Sequence, residues 1–187
     1  MAKLSLDERL NQIEKKISDQ SFRNNKGLGN EVGYYIFDYD PRQELHVRNH
    51  IQYLKNRINE SSLGFRIIEI DLFHLMIEVL EEEGYLEAFF DLERENGFFD
   101  MADSLVETLG LDETDERNLI ISKIVEHDLT DGVVFLTGVG KCHPIIASHN
   151  ILNNLHQVLD SVPVVMFYPG EYSGPVSYTH LTLPTIA

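Results

Sequence analysis

Little in this chain is basic. Lysine and arginine number 15 against 31 aspartates and glutamates, so its 187 residues carry a formal charge of −16 and a pI near 4.7. A surface of that sign repels the phosphate backbone, which argues against direct nucleic-acid binding. The charge serves solubility first; attraction to a basic partner, or mimicry of DNA, is the second reading. Cysteine is almost absent: Cys142 stands alone, which excludes an intramolecular disulfide framework. Long apolar runs are missing too. None reaches the roughly 20 residues of a membrane-spanning helix, and the N-terminus lacks an apolar signal core. The expectation is a cytoplasmic protein with no membrane partner. What the chain does have is a hydrophobic fraction of 43%, enough for one domain with a sizeable core. No internal repeat and no linker-like stretch is visible.

The stretch Asp131–Gly174, DGVVFLTGVGKCHPIIASHNILNNLHQVLDSVPVVMFYPGEYSG, organises the rest. Val133–Leu136 is a short apolar run with β-branched residues, as in a strand buried on both faces. Thr137–Lys141 turns the chain, and Pro144 suits the first turn of a helix. Ile145, Leu152, Leu155 and Leu159 give that helix an apolar face. Pro163 ends it, and Val164–Phe167 is a second buried strand. Two such strands joined by a helix predict a right-handed βαβ unit of a parallel sheet.

Upstream, Ser5 and Glu8 form a capping box before a helix carrying Leu6, Leu10, Ile13 and Ile17. The loop Ser21–Asn30 contains Gly27 and Gly29, but no strand precedes it and no Gly-Lys-Ser/Thr follows. Val32–Phe37 reads as a strand, after which Asp40 caps a helix opened by Pro41. That helix buries Val47, Ile51, Leu54 and Ile58. It turns out Arg42, Arg48, Lys55 and Arg57, either a solvated face or a contact surface. Phe65–Ile70 is the next strand, ending at Asp71. A helix with Leu72, Leu75, Met76, Val79 and Leu80 stops near Gly84. Tyr85–Leu109 is helical with a break at Asn96-Gly97, and Asp112–Asp115 cap a helix with Leu119, Ile120, Ile124 and Val125. The whole predicts an α/β fold with a mainly parallel, Rossmann-like or P-loop-like sheet of at least four strands flanked by helices.

From Pro175 the character changes. PVSYTHLTLPTIA has no acidic residue and fits neither a helix nor a partnered strand. The run Val176–Thr185 matches the translation of a transposon-based sequencing adaptor. The expected division is an α/β domain over 1–174, truncated at its C-terminus, and an adaptor-derived segment over 175–187.

In open parallel sheets ligands bind outside the carboxyl ends of the strands. Those ends present Asp38 and Asp40, Asp71, Thr137, Gly138, Gly140 and Lys141, and Tyr168–Tyr172. A P-loop needs Gly, four residues, then Gly-Lys-Ser/Thr. Counting from Gly140-Lys141, the first glycine position holds Phe135 and the hydroxyl position holds Cys142, so no intact P-loop is present. Backbone N–H groups at a helix start could still hold an anion. Cys142-His143 reads as structural, since sequence neighbours rarely point at each other. His149 and His156 share a helix face, but neither the spacing nor a carboxylate suits a metal. Hydrogen-bonded histidines packed near the sheet are the expected reading, with His149 a candidate ligand-binding residue. Asp38 and Asp40 alternate across a strand end and so do not face one pocket. No metal and no cofactor is implied.

Three segments together resemble a known family: YYIFDYDP (Tyr34–Pro41), FLTGVGKCHPII…HNILNNL (Phe135–Leu155) and PVVMFYPGEYSG (Pro163–Gly174). They are similar to BrxB, a small component of the bacterial BREX phage-defence systems, over essentially the whole chain to Gly174. The family tends to carry an arginine shortly before the histidine of the helix; here Ile145–Ser148 precede His149 with no base. The resemblance implies a role in phage defence with no established catalysis. It also implies other BREX proteins as partners, among them a PglZ-type protein resembling alkaline phosphatase, an ATPase and a DNA methyltransferase. Two functions follow as expectations. One is a non-catalytic scaffold, with Arg42, Arg48 and Arg57 as the partner-binding candidates. The other is a degenerate nucleotide- or phosphate-binding enzyme working at the strand edge.

Overall fold

The computed structural model describes residues 4–24, 33–61, 63–159 and 162–172, together with the backbone of residues 179–180. Gly27, Gly29, Val32, Gly174 and most of the segment from Pro175 lie outside the described residues. By its internal contacts the chain divides into two compact units. One comprises Met1–Glu69, Leu129–Thr137 and Asp160–Ala187; the other comprises Ile70–Asp128 and Gly138–Leu159.

The first unit is built on the sheet. Helix α1 (Leu6–Ser18) opens with the expected capping box: the Ser5 side chain accepts from the Glu8 N–H, and the Glu8 carboxylate accepts from the Ser5 N–H at 2.8 Å. A short helix α2 (Gln20–Arg23) follows, then strand β1 (Tyr34–Tyr39). Asp40 caps a 3-10 turn at Pro41–Gln43, which leads into α3 (Glu44–Asn59). Strands β2 (Arg66–Asp71), β3 (Gly132–Thr137) and β4 (Val164–Pro169) complete the set read from the sequence. The sheet order is β2-β3-β4-β1-β5, with β5 the two residues Thr179–His180. Strand β4 pairs in parallel with both β3 and β1, and β5 runs parallel to β1, Tyr35 opposite Thr179. This corrects the expectation that the last segment fits no partnered strand. Ladder pairing uses backbone groups, so two residues join a sheet edge without any side-chain pattern.

Every residue of β3 is buried, as are the first four of β4. That is why these strands read as continuous apolar runs rather than alternating ones. One face carries Phe37, Val133, Phe135, Val165 and Phe167, and packs against Leu10, Ile13 and Ile17 of α1 and Val47, Ile51, Leu54 and Ile58 of α3. The Phe167 ring lies 5.6 Å from Phe37 and 5.0 Å from Phe135.

The second unit is helical: α4 (Leu72–Glu82), α5 (Leu86–Asn96), α6 (Phe98–Thr108), α7 (Leu119–Val125), α8 (Val139–Cys142) and α9 (Ser148–Val158). Two expectations are corrected here. The cap of α7 is Asn118 and not an aspartate of 112–115. Its Oδ1 accepts from the Ile121 N–H, while its Nδ2 donates to the Leu111 and Glu113 carbonyls, and the residue is fully buried. Asp115 is occupied with the N–H and side chain of Arg117. Pro144 and Ile145 precede α9 instead of opening it. Proline drives the residue before it out of the helical region; His143 is extended, α8 ends at Cys142, and the next helix begins only at Ser148. Its apolar face is Ile151, Leu152 and Leu155.

Phe167 is 1% exposed at the centre of the aromatic cluster. Phe167→Ala should lower unfolding stability by about 3–5 kcal/mol, measured by chemical denaturation. A loss below about 1 kcal/mol would show that the cluster is not the packing centre described.

Candidate functional site

The groups predicted at the strand ends fall into two sets, each within one unit.

In the second unit Asp71 does three things. Its Oδ1 accepts from the Phe73 and His74 N–H groups at 3.0 and 3.2 Å, capping α4. Its Oδ2 accepts from Lys141 Nζ at 2.6 Å. It also lies flat against Gly138, where a Cβ would sit 2.2 Å from Oδ1. Gly138 has φ of 72°, a left-handed conformation that glycine adopts without penalty. The glycine-rich turn thus wraps around a carboxylate of its own chain. Burial pushes the Asp71 carboxyl up, but the hydrogen bonds from Lys141 and the His74 N–H outweigh it and hold the group below its ordinary value. Lys141 also lies 5.7 Å from the Phe73 ring. Asp71, Gly138 and Lys141 are therefore brought together. Gly140 and His149 are exposed on α8 and α9 and do not join them. Cys142 is buried, and burial pushes its thiol up to about 12, so it is protonated near neutral pH and is a poor nucleophile.

In the first unit a cleft of about 400 Å³ opens at the carboxyl ends of β1 and β4, lined by Arg9, Asp38, Tyr39, Asp40, Gly170 and Glu171. Adjacent strand ends in a parallel sheet are where ligands bind in such folds. Asp38 and Asp40 both line it, a correction to the alternation reading: residues two apart along a strand point to the same face, and Asp40 directly follows β1. Arg9 reaches across from α1, with Nη2 2.7 Å from Asp38 Oδ1 and 2.6 Å from the Asp38 carbonyl, and its guanidinium 4.7 Å from the Phe37 ring. Asp40 holds the Arg42 side chain and N–H, which lower its pKa to about 2. The Tyr39 hydroxyl donates to Glu44, and burial with that carboxylate beside it holds its proton well above the usual phenol range. Neither Asp40 nor Tyr39 is poised to exchange a proton near neutral pH.

Thr137 lies apart from Gly138 in function. Its hydroxyl donates to Glu69 Oε1 at 3.2 Å, while Gln52 and Lys55 bond the other oxygen of that carboxylate. The basic face is likewise committed. Arg42 pairs with Asp40, Arg48 with Glu44 at 3.0 Å, Lys55 with Glu69 at 3.2 Å, and Arg57 with Glu14 at 3.2 Å. Arg9 and Glu69 were not foreseen. Each acts through a tertiary contact far along the chain, and neither sits in a local motif. No cluster of three or more His, Cys, Asp or Glu fit for a metal occurs among the described residues, and no described helix is long and apolar enough to cross a membrane.

These features define a parallel α/β protein whose strand-edge polar groups neutralise one another. Comparison with known proteins then supplies the family. Residues 68–183 match the family model described as BREX protein BrxB. A BREX protein BrxB of Bacillus cereus (strain H3081.97) is 50% identical over 170 residues, covering 90% of this chain and 86% of that one. Another, from Escherichia coli O9:H4 (strain HS), is 33% identical over 169 residues, covering 90% and 81%. No solved structure matches the chain. The chain belongs to the BrxB family and is a component of a BREX phage-defence system.

Gly138→Ala and Asp71→Ala should each destabilise the protein by about 1–3 kcal/mol, through left-handed strain with a steric clash and through loss of a helix cap. In the double variant the losses should fall short of their sum, because the clash disappears with the carboxylate. Full additivity would contradict the contact. Asp71 has a native pKa below its unfolded value. Its stabilisation is therefore present above about pH 4 and is lost as pH falls through the native value. Asp71→Asn should flatten that part of the acid unfolding curve. Cys142 should resist iodoacetamide in the native protein at pH 8 and react once the chain is unfolded; rapid native labelling would refute its burial.

Proposed function

We propose that this chain is a non-catalytic interaction subunit of its BREX system, with a PglZ-type protein as its partner. The observation that carries the reading is the Asp71–Lys141 pair closed around Gly138. Among the described residues, the turn with the makings of a phosphate cradle already holds an internal anion, and its lysine is spent on it. Cys142 is buried as a thiol, and Asp38 and Asp40 are each engaged by an arginine. A subunit that bridges other proteins needs surfaces more than reactive groups. The Arg42, Arg48 and Arg57 face is one candidate surface, where partner carboxylates would compete with the present intramolecular ones. This family membership also fits a cytoplasmic location.

The cleft beside Asp38 favours a second reading, a phosphate- or nucleotide-binding role for the strand edge. At about 400 Å³ it has the size of a small-molecule site, and Arg9 supplies a cation at its wall.

Co-expression with the PglZ-type protein should yield a complex of equal stoichiometry that survives moderate salt. No complex, with the chain itself folded, would remove the subunit reading. A thermal shift series with Mg-ATP, GTP and inorganic phosphate tests the second reading; no shift with any of them would dispose of it.

A further inference from the structure

Helix α5 buries none of its residues, although Leu86, Phe89, Phe90 and Leu92 recur along it. Helix α6 turns Met101, Ala102 and Leu105 inward but leaves its first two residues out. Phe99 is 77% exposed, Phe90 47%, Tyr85 41% and Phe98 38%. The Phe98 and Phe99 rings meet edge to face at 5.7 Å. Gly97, with φ of 89°, joins the two helices, and a Cβ there would meet nothing within 4 Å. An aromatic surface on adjacent helices contributes little to a core. Exposed rings of this kind supply most of the energy at protein interfaces.

The charge around them selects the occupant. From Glu81 to Glu107 the only basic residue is Arg94, and it is bonded to Asp91 at 3.0 Å. Each phenylalanine pair is followed directly by an aspartate, Asp91 and Asp100. A second copy would set two such acidic strips against each other, and like charges across an interface oppose association. Nucleic acid and anionic membranes are repelled on the same ground. We infer that the α5–α6 face docks into an apolar groove rimmed by lysine and arginine on a partner protein, the phenylalanines entering the groove and the carboxylates meeting its rim. The inference rests on the interaction-subunit reading and assigns it a surface.

The test uses the full chain co-expressed with the complete set of proteins of its own BREX system, followed by titration of the purified partner. Phe90→Ala/Phe99→Ala removes exposed rings only, so circular dichroism and thermal melting should be unchanged. Partner affinity should fall about tenfold or more. Glu87→Gln/Glu95→Gln/Asp100→Asn should weaken binding and reduce its dependence on salt. Undiminished binding by the folded double variant would overturn this face while leaving the subunit reading intact. Absence of any partner for the wild-type chain would overturn both. Concentration-dependent self-association of the wild type, abolished in the double variant, would replace the basic partner by a second copy.

Discussion

The contact between Asp71 and Gly138 is the constraint on which the candidate site depends. A single carboxylate ends a strand, caps the helix that follows and receives the lysine of the turn laid against it. Each role restricts the others. The cap fixes the carboxylate's position, that position demands a glycine opposite, and the glycine's left-handed backbone delivers Lys141 to the remaining oxygen. Any longer residue at 138 would disturb all three. A turn built this way has its own anion already in place beside its lysine.

The same economy recurs at the other strand ends. Asp38 is held by Arg9, Asp40 by Arg42, Thr137 by Glu69, and Glu69 by Gln52 and Lys55. An acidic chain with few cations uses many of them, Arg9, Arg42, Lys55 and Lys141 included, to satisfy carboxylates of its own. What remains outward on α5 and α6 is a combination of rings and unbalanced negative charge. At the strand ends polar groups are thus engaged with one another, while on α5 and α6 aromatic rings face outward.

Much of the fold was legible because local signals agreed with their tertiary surroundings. The Ser5–Glu8 box, the stripe from Val47 to Ile58 and the apolar runs of β3 and β4 each state their burial in their own period. Asp71 and Lys141 could be named from strand-end position alone, although their pairing could not. Failures came where a distant partner decides the outcome. Asn118 caps α7 because carbonyls of Leu111 and Glu113 fold over it, Arg9 belongs to the strand edge only once α1 is docked, and β5 pairs through backbone with no pattern to announce it. Pro144 was read for its tolerance at helix starts, while its restriction of His143 proved decisive.

Strand β4 lies between β3 and β1, so that Val164 stands beside both Val134 and Tyr34, residues distant in the chain. During synthesis, then, the middle of the sheet is made after both of its neighbours. Until β4 leaves the ribosome, β1 and β3 have no ladder between them, and each presents an open edge of the kind that invites wrong pairing. The helices can form early from local signals, but the sheet closes as one late, long-range event. The newborn protein accordingly passes through a stage in which its most apolar strands await a partner, and its strong negative charge keeps neighbouring nascent chains apart during that interval.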